Sequence, residues 1–448
     1  MAEGRLLVAK FGGTSLADGP RIRRVADTIR SDPARTCIVV SAPGKRFVHD
    51  EKITDLLEKW CKSSDPERAV IFGVISERFE KIVRDLDIRI DLNALFQRML
   101  GEARCIEDYP ERLLHFMRSR GEWLNAQIVA VACGFKFIDA EDVIAFTHRK
   151  FDLHKTGQWA RHIELSEKAH RGIVLPGFYG RTTGAPGDVW TFSRGGSDIT
   201  GAIVAALVGA SVYENWTDVD GMLQTDPRIV PEAATIERMS YSELRELTFM
   251  GASVFHQDAA RFVWQGGIPT RIRSTMTPEK NGTLIEVAPA KEPGEVTGIA
   301  AKNGFTVITV EKYGVDDEIG ALHRLIGIFS GLNMTIFHAP GSVDTMSVVV
   351  DSMEFHQKKA DVVERIRRIC QPDNIRISDD LALICVVGVG MKHVPGTAAR
   401  LTSAIARAGV SIELLNQGAS EINITVGVSE SNRAAAVQAI WHEFFGGK

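Results

Sequence analysis

Three glycine-bearing segments carry the side chains best able to do chemistry. Lys10-Phe-Gly-Gly-Thr-Ser15 follows a short apolar run and precedes a helical pattern. Paired glycines let a backbone approach a ligand closely, a helix start offers free N–H groups and a positive dipole end, and Lys10 adds a point charge, which together make a phosphate cradle. Ser193-Arg-Gly-Gly-Ser-Asp198 opens the apolar stretch Ile199 to Val208 in the same manner. Arg194 can fork onto a carboxylate or phosphate, and Ser197 and Asp198 read as N-cap positions. The third segment, Trp216-Thr-Asp-Val-Asp-Gly-Met-Leu-Gln-Thr-Asp-Pro-Arg228, runs from a strand end into an acidic, glycine-bearing loop. A single glycine turn is often only a turn, and Asp198 alone could be only a cap. Two such turns with basic residues at helix starts point together to an anionic ligand.

Other chemistries fall away. The chain has no Walker A pattern and no intact G-x-G-x-x-G, and Asp218, Asp220 and Asp226 do not match EF-hand spacing. His148, His154, His162 and His170 lack metal-ligand spacing and read as surface-loop residues, His442-Glu443 begins no H-E-x-x-H, and there is no G-x-S-x-G elbow. Six scattered cysteines without a C-x-x-C pair argue against a zinc site or a disulfide framework and fit a reducing cytoplasm.

The balance of 53 Lys plus Arg against 57 Asp plus Glu offers no broad basic field for nucleic acid or an anionic membrane, so a polyanion must be held locally. The N-terminal residues lack a signal-peptide pattern, and no apolar run approaches the roughly 20 residues of a membrane span. A soluble, cytoplasmic protein is expected. With 448 residues, 44% hydrophobic and 25% charged, the composition is that of a globular chain of two to four domains.

The elements that must position these residues follow from periodicity. Leu6 to Ala9 and Cys37 to Val40 read as buried strands around a helix from Pro20 to Arg30, a βαβ unit. Lys52 to about Arg118 is helical with turns at Ser63-Ser-Asp-Pro and Tyr109-Pro, and Gly121 to Ala132 continues as a helix. Phe137 to Ile138, Val143 to Phe146 and Gly172 to Pro176 read as strands. This alternation predicts an α/β domain with a largely parallel sheet, where ligands gather at the carboxyl ends of strands. Asn281 to Gly304, rich in turn formers, is the expected boundary. Beyond it, β-α-β-β-α occurs twice: strands at Phe305 to Val310, Thr335 to His338, Met346 to Val350 and Asn374 to Ile377 with helices at Ile319 to Leu332 and Ala360 to Ile369; then strands at Leu383 to Val389, Ser411 to Leu415 and Asn423 to Val428 with helices at Gly396 to Ala408 and Arg433 to Phe444. Two ferredoxin-like modules are expected, the second lacking its final strand, a gap that an exchanged strand or a partner chain could fill.

These motifs resemble a known family. VAKFGGTS, SRGEWLNA, FSRGGSDIT, NWTDVDGMLQTDPR and GASVFH occur in the order of the signatures of monofunctional aspartokinases, members of the amino-acid kinase family, and the tail resembles their paired ACT regulatory domains. The resemblance implies an amino-acid kinase fold, a mostly parallel central sheet with helices on both faces, over residues 1–290. Two βαββαβ ACT domains would follow at 304–380 and 381–448, the second possibly completed by an exchanged strand. It implies transfer of the ATP γ-phosphoryl group to the β-carboxylate of L-aspartate, the entry to lysine, threonine and methionine synthesis.

By this resemblance Lys10 and Asp198 would be catalytic, Lys10 bridging phosphates while Asp198 orients Lys10 and the substrate. Gly12, Gly13, Thr14 and Ser15 would line the cradle, with Thr217, Asp218 and Arg228 holding the nucleotide and Mg²⁺ bridging its phosphates. Glu122 would bind the ammonium and Arg194 the α-carboxylate of aspartate, with Ser41, Thr54 and Ser197 nearby. Gly320, Ala321 and Leu322 would contact an amino-acid effector, and the ACT modules would associate into a homodimer or larger homo-oligomer. Three departures stand out. Ser253 replaces a lysine that helps bind ATP phosphate in many relatives, a charge Arg261 or Arg271 could supply. Residues are inserted between Ser41 and Thr54. Phe337 occupies a strand position acidic in some lysine-inhibited relatives, which leaves lysine, threonine or both as effector. The alternatives are an inactive amino-acid sensor, against which stand the intact Lys10, Glu122, Arg194 and Asp198, and another amino-acid kinase, which would lack the ACT pair and the full SRGGSD and WTDVDG set.

Overall fold

The computed structural model describes residues 5–159, 163, 171–184, 187–193, 195–252 and 254–446. The chain forms two compact units. The first comprises residues 1–222, 235–244 and 253–289; the second comprises 223–234, 245–252 and 290–448. Two short segments within the stretch read as one catalytic domain therefore pack with the C-terminal part.

In the first unit, strands β1 (Leu7–Phe11), β2 (Arg35–Val40), β3 (Lys136–Phe137), β6 (Ile173–Pro176), β9 (Val212–Thr217), β10 (Arg238–Ser240), β11 (Thr270–Ser274) and β12 (Thr283–Glu286) build one sheet in the order β10-β12-β11-β9-β1-β2-β6-β3. All its pairs are parallel except β11 with β12. A smaller sheet joins β4 (Ala145–Thr147), β5 (Lys150–Phe151), β7 (Tyr179–Thr182) and β8 (Val189–Thr191) in the order β5-β4-β7-β8. The expected mostly parallel α/β architecture is what the chain adopts.

Five helices follow from local signals. Asp18 accepts from the Arg21 N–H at 3.0 Å and starts α1 (Gly19–Arg30). Then come α2 (Ile53–Cys61), α3 (Asp65–Leu86), α4 (Leu92–Cys105) and α5 (Pro110–Cys133). At the head of α3, Glu67 accepts from the Ser64 N–H at 2.9 Å. The break after α3 went unread; it is made by Asp87 in a left-handed conformation with φ 56°. Gly121, in the stretch expected to continue as a helix, lies inside α5. A Cβ there would sit 2.8 Å from Ala42 Cβ and 3.1 Å from Ile53 Cγ2, so the glycine serves close packing.

The strand period of two separates two tasks. Ala9 and Phe11 belong to the apolar cluster with residues of α1 to α5. Lys10, between them, points to the other face, toward the Gly196–Leu207 helix. Register places Lys10 opposite Asn215 and Phe11 opposite Trp216. On the first face Phe11 and Trp216 stack at 5.9 Å, and the Trp216 indole donates to Glu214 at 2.9 Å. Arg35 grips the Glu214 carboxylate at 2.6 and 3.2 Å, and Arg273 approaches it at 3.5 Å. Nothing in the motifs announced this buried cluster.

In the second unit, β13 (Gly298–Glu311), β14 (Ile336–His338), β15 (Gly341–Ser342), β16 (Thr345–Asp351), β17 (Asn374–Val387), β18 (Leu414–Gln417) and β19 (Asn423–Ser429) form a sheet ordered β14-β16-β13-β17-β19-β18, with β15 on β16. Two expectations change. Gly304, read as the end of a linker, lies inside β13, and the strands expected at Asn374–Ile377 and Leu383–Val389 are one strand, β17. Register slips between Lys302 and Val307, where Gly304 has φ 89° and Asp380 φ 65°. The turn formers make bulges inside long, bent strands. The helix expected from Ala360 begins earlier, at Ser352, with Asp351 accepting from the Met353 and Glu354 N–H groups. Gly298–Lys302, ahead of the first module, pairs antiparallel with Leu383–Val387. The second module's sheet thereby receives its fourth strand from this same chain. Two apolar clusters underlie this sheet, one centred on Ile308, Phe329 and Phe355 and the other on Ile384, Ile424 and Trp441. Ile229 and Val230 join the latter, and the Trp441 indole donates to Gln224 at 3.2 Å.

Replacing Glu214 by Gln leaves the buried Arg35 and the partly buried Arg273 guanidinium groups without their shared carboxylate. Breaking such a buried pair is expected to cost about 3–5 kcal/mol, seen as an earlier urea-unfolding midpoint; an unchanged midpoint would contradict the structural weight given to this cluster.

Candidate active site

The carboxyl ends of β1, β2 and β6 open on a cleft of about 770 Å³. Its lining includes Lys10, Gly13, Thr14, Ser41, Thr54, Glu122, Ser197 and Asp198, together with Lys52, Asp55, Glu58 and Arg118. Residues far apart in sequence meet here because adjacent parallel strands end at one edge of the sheet.

At the floor, Lys10 Nζ lies 2.6 Å from Asp198 Oδ1, both largely buried. Asn215 donates to the same oxygen at 3.1 Å, as its register opposite Lys10 requires. Tyr213 donates to the Asp198 carbonyl at 3.2 Å. Asp198 is not a cap, as the sequence suggested: Gly195, with φ 78°, occupies the N-cap, and Ser197 and Asp198 follow in the first turn. The helix begins in a crowded place, since a Cβ on Gly195 would lie 2.2 Å from the His256 ring.

Two loops meet at the mouth. The Gly44 N–H donates to the Gly13 carbonyl at 2.8 Å. A Cβ on Gly13 would stand 2.8 Å from the Ala42 carbonyl oxygen, and one on Gly44 would stand 2.6 Å from the Gly13 carbonyl carbon. Only glycine at both positions permits this backbone contact. The Gly12 N–H is held by the Trp216 carbonyl at 3.0 Å. Ser15 Oγ shares a hydrogen bond with Thr275 Oγ1 at 2.7 Å, and Thr275 Oγ1 donates to the Thr217 carbonyl at 3.2 Å. The end of β9 is thereby joined to the first loop.

Glu122, inside α5, is 5% exposed, and its Oε2 finds no partner among the described residues. Burial pushes its carboxyl from the ordinary 4.5 up to about 8, against the opposing pull of the Ala42 N–H and the Arg120 guanidinium. Arg118, by contrast, is held by Glu58 at 2.6 and 3.1 Å, which draws the Glu58 carboxyl below its usual range together with the Lys62 hydrogen bond.

The remaining candidates fall elsewhere. Thr217 Oγ1 donates to Asp218 Oδ1 at 3.1 Å beside the first loop, outside the cleft lining. Arg228 belongs to the second unit and forks onto Asp226, at 2.7 Å for its closest contact. Gly320 caps the Ala321–Gly331 helix with φ 78°; Ala321 is buried and Leu322 partly exposed. Phe337 packs on Phe305 and Phe249 at 4.8 and 5.0 Å. Arg271 donates to the Asn281 carbonyl at 3.2 Å, and Arg261 is exposed. Arg194 and Ser253 lie outside the described residues, as do His162 and His170. Among the described residues no three His, Cys, Asp or Glu side chains cluster to hold a metal. No described helix is long and apolar enough to cross a membrane.

The model of the amino acid kinase family matches residues 5–274, and an ACT domain model matches residues 384–444. Aspartokinase 3 of Bacillus subtilis (strain 168) is 36% identical, over 98% of this chain and 99% of its own length. A bifunctional aspartokinase/homoserine dehydrogenase of Haemophilus influenzae is 30% identical over 98% of this chain and 57% of its own length. Among solved structures, aspartate kinase of Clostridium acetobutylicum superposes with a TM-score of 0.87 at 39% identity, covering 98% of this chain and 100% of that one. Aspartokinase III of E. coli shares the fold, with a TM-score of 0.76 at 22% identity. The chain belongs to the amino acid kinase family and, within it, to the aspartokinases, enzymes with aspartate kinase activity that carry a C-terminal ACT region.

A carboxyl whose folded pKa is raised stabilises the fold fully below its unfolded pKa, and that contribution is lost as pH rises through the folded value. For Glu122 the window runs from about 4.5 to about 8. Relative to wild type, Glu122→Gln is therefore expected to gain thermal stability progressively across this window. Melting temperatures of both proteins between pH 5 and 9 check it; a pH-independent difference between them would count against a neutral, buried Glu122.

Proposed function

We propose that this enzyme transfers the γ-phosphoryl group of ATP to the β-carboxylate of L-aspartate, giving 4-phospho-L-aspartate and ADP. The observation that carries the reading is the Lys10–Asp198 pair, placed between two glycine loops in the cleft that also holds Glu122 with its unpartnered Oε2.

The accepting carboxylate titrates near 3.9 and is already a nucleophile at neutral pH, so no general base is needed. The obstacle is repulsion between two anions. Lys10 places a cation, fixed by Asp198 and Asn215, where charge develops on the moving phosphoryl group. The backbone of Gly12, Gly13, Thr14 and Ser15 cradles phosphate, and the helix N-terminus at Gly196 adds its positive dipole end. Thr217 and Asp218 hold the nucleotide, and the family resemblance alone adds Arg228 to them. Glu122 receives the ammonium of aspartate, whose positive charge draws off the carboxyl proton and satisfies Oε2. Arg194 binds the α-carboxylate, with Ser41, Thr54 and Ser197 completing the pocket. A Mg²⁺, as the resemblance implies, would supply neutralisation of phosphate charge when bound with the nucleotide.

The reaction would open lysine, threonine and methionine synthesis in the cytoplasm, where six free cysteines are at home. An amino acid, lysine or threonine or both, binding near Gly320, Ala321 and Leu322 would feed back on it through ACT modules associated as a homodimer or larger oligomer. A relative is described as an allosteric enzyme, which supports this regulation.

The decisive assay is aspartate-dependent ADP release, titrated with lysine, threonine and their mixture. Lys10→Met is expected to lower kcat by about 10²–10³, the effect of losing one donor to the transition state. Aspartate binding without turnover by the wild type would overturn the reading.

A further inference from the structure

The loops that meet through Gly13 and Gly44 belong to different strand ends, and their mutual hydrogen bonding is thin. Two arginines from outside the cleft lining span them. Arg21, on α1, donates to the Thr14 carbonyl at 3.0 Å in the first loop and to the Lys45 and Arg46 carbonyls at 3.2 and 3.0 Å in the second. Arg78, on α3, donates to the Ala17 carbonyl at 3.3 Å after the first loop, and to the Gly44 and Glu51 carbonyls of the second, the latter at 2.8 Å.

Arg78 occupies an unusual place. Ile71, Ile75, Phe79 and Ile82 form the buried stripe of α3, and Arg78 lies within it, 4% exposed. A guanidinium there is tolerable only if its N–H groups meet acceptors. The acceptors that its two terminal nitrogens meet are loop carbonyls, with Asp50 at 3.4 Å, while Nε finds no partner among the described residues. Asp50 in turn accepts from the Arg46 backbone at 2.9 Å and from the Arg46 side chain at 2.8 Å in two contacts. These bonds hold the Asp50 carboxyl far below the usual carboxylate range. The stretch inserted between Ser41 and Thr54 is thereby curled around one carboxylate and pinned from beneath.

We propose that Arg21 and Arg78 are positioning residues: together they clamp the phosphate loop against the Ser41–Thr54 loop, so that Lys10 on one side faces Ser41 and Thr54 on the other. The role rests on the phosphoryl-transfer reading given above. Arg21 bonds carbonyls of both loops, and Arg78 bonds two carbonyls of the second loop and the Ala17 carbonyl that closes the first. In each guanidinium one nitrogen bonds carbonyls on both sides and the other adds a third bond, a fixed planar fork that a lysine ammonium on its flexible stem does not reproduce. Loosening the clamp separates the sites for the two substrates without removing any group that touches them.

Arg21→Lys, Arg78→Lys and the double variant test this. Each single variant is expected to lose about ten- to a hundredfold in kcat/KM, with KM for ATP and for aspartate rising together, as misplacement of reacting groups demands. Backbone hydrogen exchange is expected to speed up at residues 12–17 and 42–51 while the body of α5 stays protected. Arg78→Ala should regain activity when guanidinium ion is added at millimolar concentration. A merely structural role would lower the melting temperature while leaving both KM values and loop exchange unchanged, and that result overturns the proposal. Arg21→Lys, whose side chain is partly exposed, keeps the test open if Arg78 variants fail to fold. A wild type lacking aspartate-dependent turnover would sink the reaction reading, and loop exchange would still decide the clamp.

Discussion

The contact on which the site depends is the one between Lys10 and Asp198. A lysine largely buried at the floor of a cleft needs a partner to fix its position and offset its burial, and the carboxylate provides both. Asn215 and Tyr213 hold Asp198 in turn, by its side chain and its carbonyl. The pair can form because β1 and β9 run parallel in one register, and because the helix bearing Asp198 begins at a left-handed glycine at the sheet edge. A slip of one residue in β1 would turn Lys10 toward the apolar face and bring Phe11 to the substrate.

That division between faces explains why the strand is useful as well as stable. One face carries the reacting charges; the other carries Phe11 stacked on Trp216, with Glu214 and two arginines beneath. Trp216 serves both sides, since its ring packs below while its carbonyl receives the Gly12 N–H above. The phosphate loop is thus tied to a rigid core through its own backbone.

Much of this was legible in the sequence, for definite reasons. The glycine loops announced themselves because backbone crowding leaves no other residue there, as the short Cβ distances at Gly13 and Gly44 show. Lys10 and Asp198 stood in those loops, and the α/β alternation came from periodicity. What was not legible depended on distant partners. Asp198 has the spacing of a cap, and only the approach of β1 makes it a counter-ion. Arg78 looks like any helical arginine until its place in the apolar stripe is set beside the carbonyls it meets. Gly304 reads as the end of a linker because a bulge and a linker use the same residues. Gly121 reads as helical and is so, but its close packing against Ala42 and Ile53 depends on residues distant in sequence.

The strand Gly298–Lys302 has a consequence for how the chain is made. It precedes the first regulatory module in sequence yet completes the sheet of the second. During synthesis it emerges early and must wait, an unpaired edge, until β17 and β19 have followed. The regulatory half is therefore a unit of assembly as well as of packing. Neither module can be exchanged between relatives by cutting at their apparent junction, which falls within β17. Recombination would preserve the fold only where it carries the leading strand along with the tail.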